Sequence, residues 1–406
     1  MKLPELLAPA GNMERLTTAL RFGADAVYVG AQSMSLRNFA DNFTAEGLTD
    51  ACAMAHELGK RVYVACNAFA RDDDMDMLPE LMQVIGESGA DALIVNDPGV
   101  IRTAKRLLPD MPLHLSTQAN TLNSEAVMFW RDMGVRRVIL ARELSIAQIA
   151  RIRERVPLDV ELEMFVHGAM CISYSGRCLL SNYFSGRDCY KGECAQPCRW
   201  AYELRERGSN GEYYTIEQDA LGTFVMNSRD LNLIEHLKEV VDAGVCSLKI
   251  EGRMKSIAYV ATVTNAYRMA LNALERGESV QAIVVDELNK ASHRPYTTGF
   301  AFGNPGQDGQ RTHCGGYVAD QLISAVVCEY DAKKQEARVI QRNRFFDGEE
   351  LSILSPSDVG RCFTLNGIRD MEGNAQSAAP HPQQELIIGC SQPLKPGDIL
   401  KKDNLT

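Results

Sequence analysis

The feature that most narrows the fold is a phrase that keeps returning along the first two thirds of the chain. A short β-branched or apolar run is followed by an amphipathic stretch, and several of these stretches end in a glycine just ahead of the next run. The runs are Glu5–Pro9, Ala26–Gly30, Arg61–Asn67, Ala92–Asp97, Leu113–Gln118, Arg137–Arg142, Glu161–His167 and Ser247–Glu251. Between them lie helical patterns such as Met13–Phe22, Leu48–Leu58, Leu78–Gly86 and Ile146–Arg155. Gly23, Gly59, Gly89, Gly134 and Gly244 stand where helices should stop, because glycine enters the left-handed cap conformation at no Cβ penalty. Two phrases nearly repeat, Gly23-Ala-Asp-Ala-Val-Tyr-Val and Gly89-Ala-Asp-Ala-Leu-Ile-Val. Eight such units in about 275 residues match a TIM-type (β/α)8 barrel. An open doubly wound sheet is the rival, but no glycine-rich dinucleotide fingerprint follows the first strand.

Pleating turns this pattern into a functional argument. Side chains alternate across a strand, so Glu161, Glu163, Phe165 and His167 share one face while Leu162, Met164 and Val166 share the other. The apolar set suits the helix layer, which sends the glutamates and His167 into the barrel. Leu248 and Ile250 likewise face outward and leave Lys249 and Glu251 inside, and His114, Ser116 and Gln118 form a similar polar set. A barrel built only for stability fills these layers with Val, Ile and Leu. A structural ion-pair core explains any single member of the set, since buried charges need partners and both signs are present. At the C-terminal strand ends, where barrel active sites sit, the functional reading gains. Asn67, Gln118, Arg142, His167, Glu251 and Arg253 occupy those ends.

After about residue 278 the pattern changes to short alternating runs, such as Ala325–Tyr330 and Ala337–Arg342, with turn signals at Asp347-Gly348 and Pro396-Gly397. The expected organisation is a barrel over 1–277 with a cysteine-rich insertion at about 169–200, a connecting segment over 278–315, and a small antiparallel all-β domain, a barrel, over 316–406. Arg338, Arg342, Arg344, Arg361, Lys395, Lys401 and Lys402 in that domain suit RNA phosphates or, equally, a solvated surface.

The insertion carries the densest chemistry. The chain has 12 cysteines; Cys52, Cys66, Cys246, Cys314, Cys328, Cys362 and Cys390 are scattered singly and read as small buried hydrophobes. The other five, Cys171, Cys178, Cys189, Cys194 and Cys198, crowd together after the seventh strand. No apolar run approaches the ~18 residues that span a bilayer, and Met1-Lys2-Leu3-Pro4-Glu5 begins no secretory pattern, so a cytoplasmic protein with no membrane partner is expected. Thiols stay reduced there, and a cysteine cluster then points to metal or catalysis rather than crosslinks. The spacing C-x6-C-x15-C-x3-C fits an iron–sulfur cluster better than structural zinc, which prefers paired knuckles; zinc stays open at this point. The fifth thiol, Cys189, has no assigned role.

Other chemistries find little support. His56-Glu57-Leu58-Gly59-Lys60 lacks the second histidine of a zinc-peptidase helix, and there is neither a G-x-S-x-G elbow nor a P-loop. A Cys171–His167 nucleophile pair would leave the other cysteines unexplained. A net charge of −10 argues against a generally basic coating for nucleic acid but leaves room for a local patch.

The run Glu163-Met-Phe165-Val-His167-Gly168-Ala-Met-Cys171-Ile-Ser-Tyr-Ser-Gly176-Arg177-Cys178-Leu-Leu-Ser181 resembles the signature of the collagenase-like peptidase family. The resemblance extends to Glu5-Leu-Leu-Ala-Pro-Ala-Gly11, Ser116-Thr-Gln118, Cys194-Ala-Gln-Pro-Cys198-Arg-Trp200, Lys249-Ile-Glu-Gly-Arg253-Met-Lys-Ser256 and Tyr296-Thr-Thr-Gly-Phe300. Its bacterial branches include proteins that hydroxylate RNA bases and ubiquinone precursors. With Asp41-Asn-Phe43 and a C-terminal domain, the chain looks most like the branch for prephenate-dependent hydroxylation of the tRNA wobble uridine. The resemblance then implies a 4Fe–4S cluster held by Cys171, Cys178, Cys194 and Cys198, with prephenate as co-substrate and tRNA as partner. Iron–sulfur assembly machinery and an electron donor are further implied partners. A ubiquinone branch has a cysteine where this chain has Asn232, which leaves the ligand set to the local cysteines. Prephenate's two carboxylates need cationic forks, for which Arg142, Arg253 and Arg37 are candidates with Gln118 beside them. His167 is the expected proton carrier, and Glu251 and Arg253 complete the catalytic set. The alternatives are a peptidase, as the family name says, rRNA-base or ubiquinone-precursor hydroxylation, and a non-catalytic cluster protein.

Overall fold

The computed structural model describes residues 3–31, 42–171, 173–175, 177–187, 193–200, 227–311 and 321–403. The chain divides into two compact units. One takes Met1–Leu20, Ala24–Lys255 and Arg294–Tyr317; the other takes Arg21–Gly23, Ser256–His293 and Val318–Thr406. Among the described residues no helix is long and apolar enough to cross a membrane.

In the first unit eight parallel strands close into a barrel. They are β1 (Glu5–Pro9), β2 (Ala26–Gly30), β3 (Arg61–Cys66), β4 (Ala92–Val95), β5 (Leu113–Leu115), β6 (Arg137–Ile139), β7 (Glu161–Ala169) and β8 (Ser247–Ile250). Each pairs with its neighbour in sequence, β8 pairs with β1, and β7 pairs with β8 to shut the ring. The strands β1 and β2 are buried along their whole length, as strands covered on both faces must be. Helices α1 (Met13–Arg21), α2 (Ala45–Glu57), α3 (Asp72–Glu87), α4 (Pro98–Leu107), α5 (Ser124–Asp132), α6 (Ile146–Arg155) and α7 (Leu237–Asp242) fall between strands. Their starts are set by local acceptors: Asp97 takes the N–H of Gly99 and Val100, and Ser145 forms a capping box with Gln148. The five glycines expected to stop helices all have positive φ, from 66° at Gly59 to 101° at Gly23.

Register decides what enters the lumen. Leu7 pairs with Lys249, Tyr28 with Tyr63, His114 with Arg137 and Glu163 with Ser247, and laterally paired residues share a face. The alternation holds along β7 as far as Phe165. Between Lys249 and Ile250 the pairing slips by one residue, so Ile250 meets His167 instead of Val166. That bulge corrects the simple pleat count. His167 is carried out of step with Glu163 and Phe165, and its ring packs on Tyr296. Beyond the barrel, β7 continues antiparallel to a short strand, Asp230–Asn232, which pairs in turn with Tyr296–Thr297.

The second unit contains helix α8 (Ile257–Glu275) and an antiparallel sheet. Its main strands are β9 (Gln321–Asp331), β10 (Glu336–Gln341), β11 (Glu350–Ser355), β12 (Asp358–Thr364), β13 (Glu385–Gly389) and β14 (Ile399–Asp403). Their order is β12-β11-β14-β9-β10-β13, followed by the short strands Ile368–Arg369 and Ala375–Gln376. No pairing joins the two outermost strands among the described residues. Alternation along β10 sends Ala337, Val339 and Gln341 inward, where Val339 joins Val327, Phe345, Leu351, Phe363 and Leu400 in one core. Helix α8 is apolar on most of its faces and groups with this sheet rather than with the residues before 256. Buried Asn265 fastens it, donating to Ser355 O at 3.0 Å and accepting from Ser357 N at 2.7 Å.

Candidate active site at the barrel mouth

The floor of the lumen is an ion network raised from the first residues of the strands. Arg137 Nη1 lies 2.7 Å from Glu5 Oε1 and 3.2 Å from Glu163 Oε2, and its Nε donates to Glu161 Oε2 at 2.7 Å. Tyr63 donates to Glu5 at 2.7 Å, Ser247 does so at 3.2 Å, and Arg61 also pairs with that carboxylate. Burial alone would raise the Glu161 carboxyl, but the charge and hydrogen bond of Arg137 outweigh it and hold it low. His114 stacks edge-on against Tyr63 at 4.7 Å, and burial together with Arg137 and Lys249 pushes its pKa down, leaving a neutral imidazole. Lys249, one layer higher, reaches Glu163 Oε1 at 3.3 Å and lies over the Tyr28 ring at 4.4 Å.

Above this floor opens a cavity of about 70 Å³. Its polar lining includes Asn67, Ser116, Gln118, Arg142, Lys249, Glu251 and Arg253, with Tyr28 and Phe165 among its walls. The strands stop earlier than the sequence suggested, at Cys66, Leu115, Ile139 and Ile250. Asn67, Gln118, Arg142 and Glu251 therefore stand on the turns just past the strand ends, where barrel sites are built. Gln118 lies in a 3-10 turn, Thr117–Ala119, that closes on left-handed Asn120. Arg142 Nη1 donates to Ala169 O at 2.7 Å, its Nη2 lies 3.5 Å from Glu251 Oε2, and its guanidinium covers the Phe165 ring at 4.0 Å. Two buried atoms on this wall, Arg142 Nε and Gln118 Oε1, have no hydrogen-bond partner among the described residues. A buried group left so costs about 1–3 kcal/mol, which a polar ligand in the cavity would recover.

Arg253 is buried and donates to Asn42 Oδ1 at 3.0 Å. A Cβ at Gly30 would lie 2.6 Å from Arg253 Nη2 and 2.6 Å from Asn42 Oδ1, so the absence of a side chain there leaves room for the guanidinium. Neither Asn42 nor Gly30 stood out in the sequence as part of the site; the signal was a glycine ending β2 on the inward face.

His167 does not line the cavity. It is buried beside Tyr296, whose hydroxyl is 3.4 Å from Nε2, and burial pushes that phenol's pKa up. Next to it Arg294 and Asp230 form a buried pair at 2.6 Å that holds the Asp230–Asn232 strand. Arg37 and Cys189 lie outside the described residues.

The insertion is anchored at the mouth through Asn120, whose Nδ2 donates to Ser175 O at 3.0 Å. Cys171 and Cys194 are exposed and Cys178 and Cys198 partly so, and none is in a disulfide. Ala195 N donates to Ser181 Oγ at 3.0 Å, and the Phe184 and Trp200 rings are 6.5 Å apart, which draws the Cys178 and Cys194–Cys198 segments together. Among the described residues no three His, Cys, Asp or Glu groups converge to hold a metal. The donor chemistry, four at least partly accessible thiols outside any disulfide with Cys194 Sγ accepting from Gln196 N at 3.4 Å, is of the kind that iron–sulfur clusters use.

The scattered cysteines divide. Cys52, Cys66 and Cys390 are buried as expected, Cys246 and Cys328 partly, whereas Cys362 is exposed because it sits on the outer side of β12; Cys314 lies outside the described residues. The basic residues of the second unit are largely engaged. Lys401 is buried on Glu287, Arg338 bridges Glu329 and Glu385, Arg361 pairs with Asp358 and Lys402 lies 3.6 Å from Glu349.

Residues 11–311 match the family described as peptidase family U32, and 319–401 match its C-terminal domain. A tRNA hydroxylation protein P1 of Bacillus subtilis is 40% identical over 405 residues, 99% of this chain and 95% of that protein. A tRNA hydroxylation protein P of Escherichia coli is 36% identical, covering 93% of this chain and 91% of its own length. A 23S rRNA 5-hydroxycytidine synthase of Escherichia coli is 34% identical over 87% of this chain and 53% of that protein.

Proposed function

The chain belongs to peptidase family U32, and from that premise we propose that it is an RNA-modifying enzyme that hydroxylates the wobble uridine of tRNA at carbon 5. The observation that carries the reading is full-length likeness: 40% identity to a tRNA hydroxylation protein sustained over 99% of the chain. The geometry supports it with a polar cavity at the C-terminal mouth of a barrel, and the insertion carries exposed Tyr183, Phe184 and Trp200. A base must leave its stack to be modified, and exposed aromatic rings give a splayed base a stacking surface.

In this reading prephenate is the co-substrate. Arg142, with its open Nε, and Gln118, with its open Oε1, orient it, and buried Arg253 adds the second cation. Glu251 beside Arg142 limits the excess positive charge and keeps the guanidinium over Phe165. Cys171, Cys178, Cys194 and Cys198 would hold a 4Fe–4S cluster, which when bound supplies one-electron chemistry at the edge of the mouth. His167, outside the cavity, acts by fixing the start of the insertion against Tyr296.

The test is complementation of a deletion strain, reading tRNA nucleosides by mass spectrometry and protein-bound iron after anaerobic purification. Arg253→Ala is expected to lose the modified uridine and keep its iron, while Cys194→Ala loses both. Unchanged uridine modification in Arg253→Ala would sink the assignment of the cavity. A second reading, modification of an rRNA base, is favoured by the rRNA hydroxycytidine synthase among the relatives. The same strain settles it if rRNA nucleosides are read alongside.

A further inference from the structure

Lys249 is a lysine in an unusual place. It projects from β8 into the lumen, is buried, and yet forms part of the cavity lining. Its Nζ meets one carboxylate oxygen, Glu163 Oε1 at 3.3 Å, and two ring faces, Tyr28 at 4.4 Å and Phe165 at 5.6 Å. The ion network below is already served by Arg137, which contacts Glu5, Glu161 and Glu163. The same Phe165 ring is also touched by Arg142, 4.0 Å from the ring centroid, whose Nε has no hydrogen-bond partner among the described residues. One cavity thus offers an amine at its floor and a fixed guanidinium on its wall.

We propose that Lys249 captures the keto group of a 2-oxo acid bound in this cavity, with the acid's carboxylate on Arg142. The ammonium first gives a proton to Glu163. The free amine adds to the carbonyl carbon to form a carbinolamine; Glu163 then returns the proton to the departing hydroxyl, and loss of water leaves a protonated imine. One C=O bond is exchanged for one C=N bond, one water leaves, and no oxidant or reductant is needed. A desolvated lysine is suited to this step because it can shed its proton near neutral pH. Burial lowers the Lys249 pKa here, and Glu163 opposes that shift only in part. Arg142 and Lys249 line one cavity and so offer a cation for a carboxylate and an amine for a carbonyl, a pairing that simple ketones and simple acids lack.

The inference deepens the proposed use of the cavity by prephenate, whose side chain is itself a 2-oxo acid. It is tested by incubating the full-length protein separately with pyruvate, phenylpyruvate and prephenate in the presence of cyanoborohydride, followed by intact-mass and peptide mapping. The expected result is a reduced adduct of one acid per chain at Lys249, absent in Lys249→Arg, which keeps a cation against Glu163 and so preserves the fold. Glu163→Gln removes both the charge that favours the ammonium and the group that carries its proton, so the adduct should form about tenfold or more slowly, with no recovery as the pH rises. An adduct with pyruvate or phenylpyruvate but not prephenate would uphold the lysine and remove prephenate from the cavity. No adduct with any of the three, or one that maps elsewhere or persists in Lys249→Arg, would overturn the proposal.

Discussion

Replacing Arg137 with methionine removes the one cation that three carboxylates share. Glu163 and Glu5 are 0% and 5% exposed at the side chain, so neither can turn to water for compensation. Breaking a buried pair by deleting one partner costs about 3–5 kcal/mol. Lys249 still reaches Glu163 and Arg61 still reaches Glu5, which places the expected loss at the lower end, about 3 kcal/mol. At about 2–4 °C per kcal/mol for a domain of this size, the melting temperature should fall by roughly 6–12 °C at pH 7. The pH dependence has a definite sign. Glu161 is held below its unfolded value by Arg137, so it contributes stability above the unfolded pKa of about 4.3 and loses it as the pH falls through the folded pKa. The variant has no such contribution to lose. The gap between the two proteins should therefore be full at pH 7 and narrow below about pH 4.3. Urea denaturation followed by circular dichroism at pH 7 and pH 4 measures it. A gap under about 0.5 kcal/mol at pH 7, or one that widens in acid, would refute the reasoning.

Two further outcomes follow from close packing and from burial. Gly30→Ala places a methyl 2.6 Å from Arg253 Nη2, so the guanidinium must move; we expect a folded protein destabilised by about 1–3 kcal/mol whose tRNA modification drops, by no more than that of Arg253→Ala, with no loss of iron. Burial pushes the Cys66 thiol up to about 12, Cys246 to about 12 and Cys52 to about 11, so at pH 8 all three stay protonated. Iodoacetamide should label exposed Cys362 promptly and reach those three only on unfolding, and early labelling of Cys66 by peptide mass spectrometry would contradict the packing.

Much of the barrel was legible because its signals are local and repeated. A glycine with positive φ ends helix after helix, and each strand carries its own apolar run. Residues beyond the strand ends were legible too, since Asn67, Gln118, Arg142, Glu251 and Arg253 do gather around one cavity. His167 was misread because alternation assumes an unbroken ladder, and a one-residue slip between Lys249 and Ile250 carries no mark in the sequence. The contact of Arg253 with Gly30 and Asn42 joins positions more than 200 apart in sequence, and its one local mark is the glycine that ends β2. Lys401 of the second unit looked as available to RNA as to solvent because its carboxylate partner, Glu287, is distant along the chain.

The central claim is that this chain modifies tRNA, and nucleoside mass spectrometry of total tRNA from a strain lacking it is the most direct test. The account predicts that 5-hydroxyuridine and its derivatives at the wobble position disappear and return when the wild-type chain is restored. Unchanged wobble uridines in the deletion strain, with or without a change in rRNA nucleosides, would contradict it.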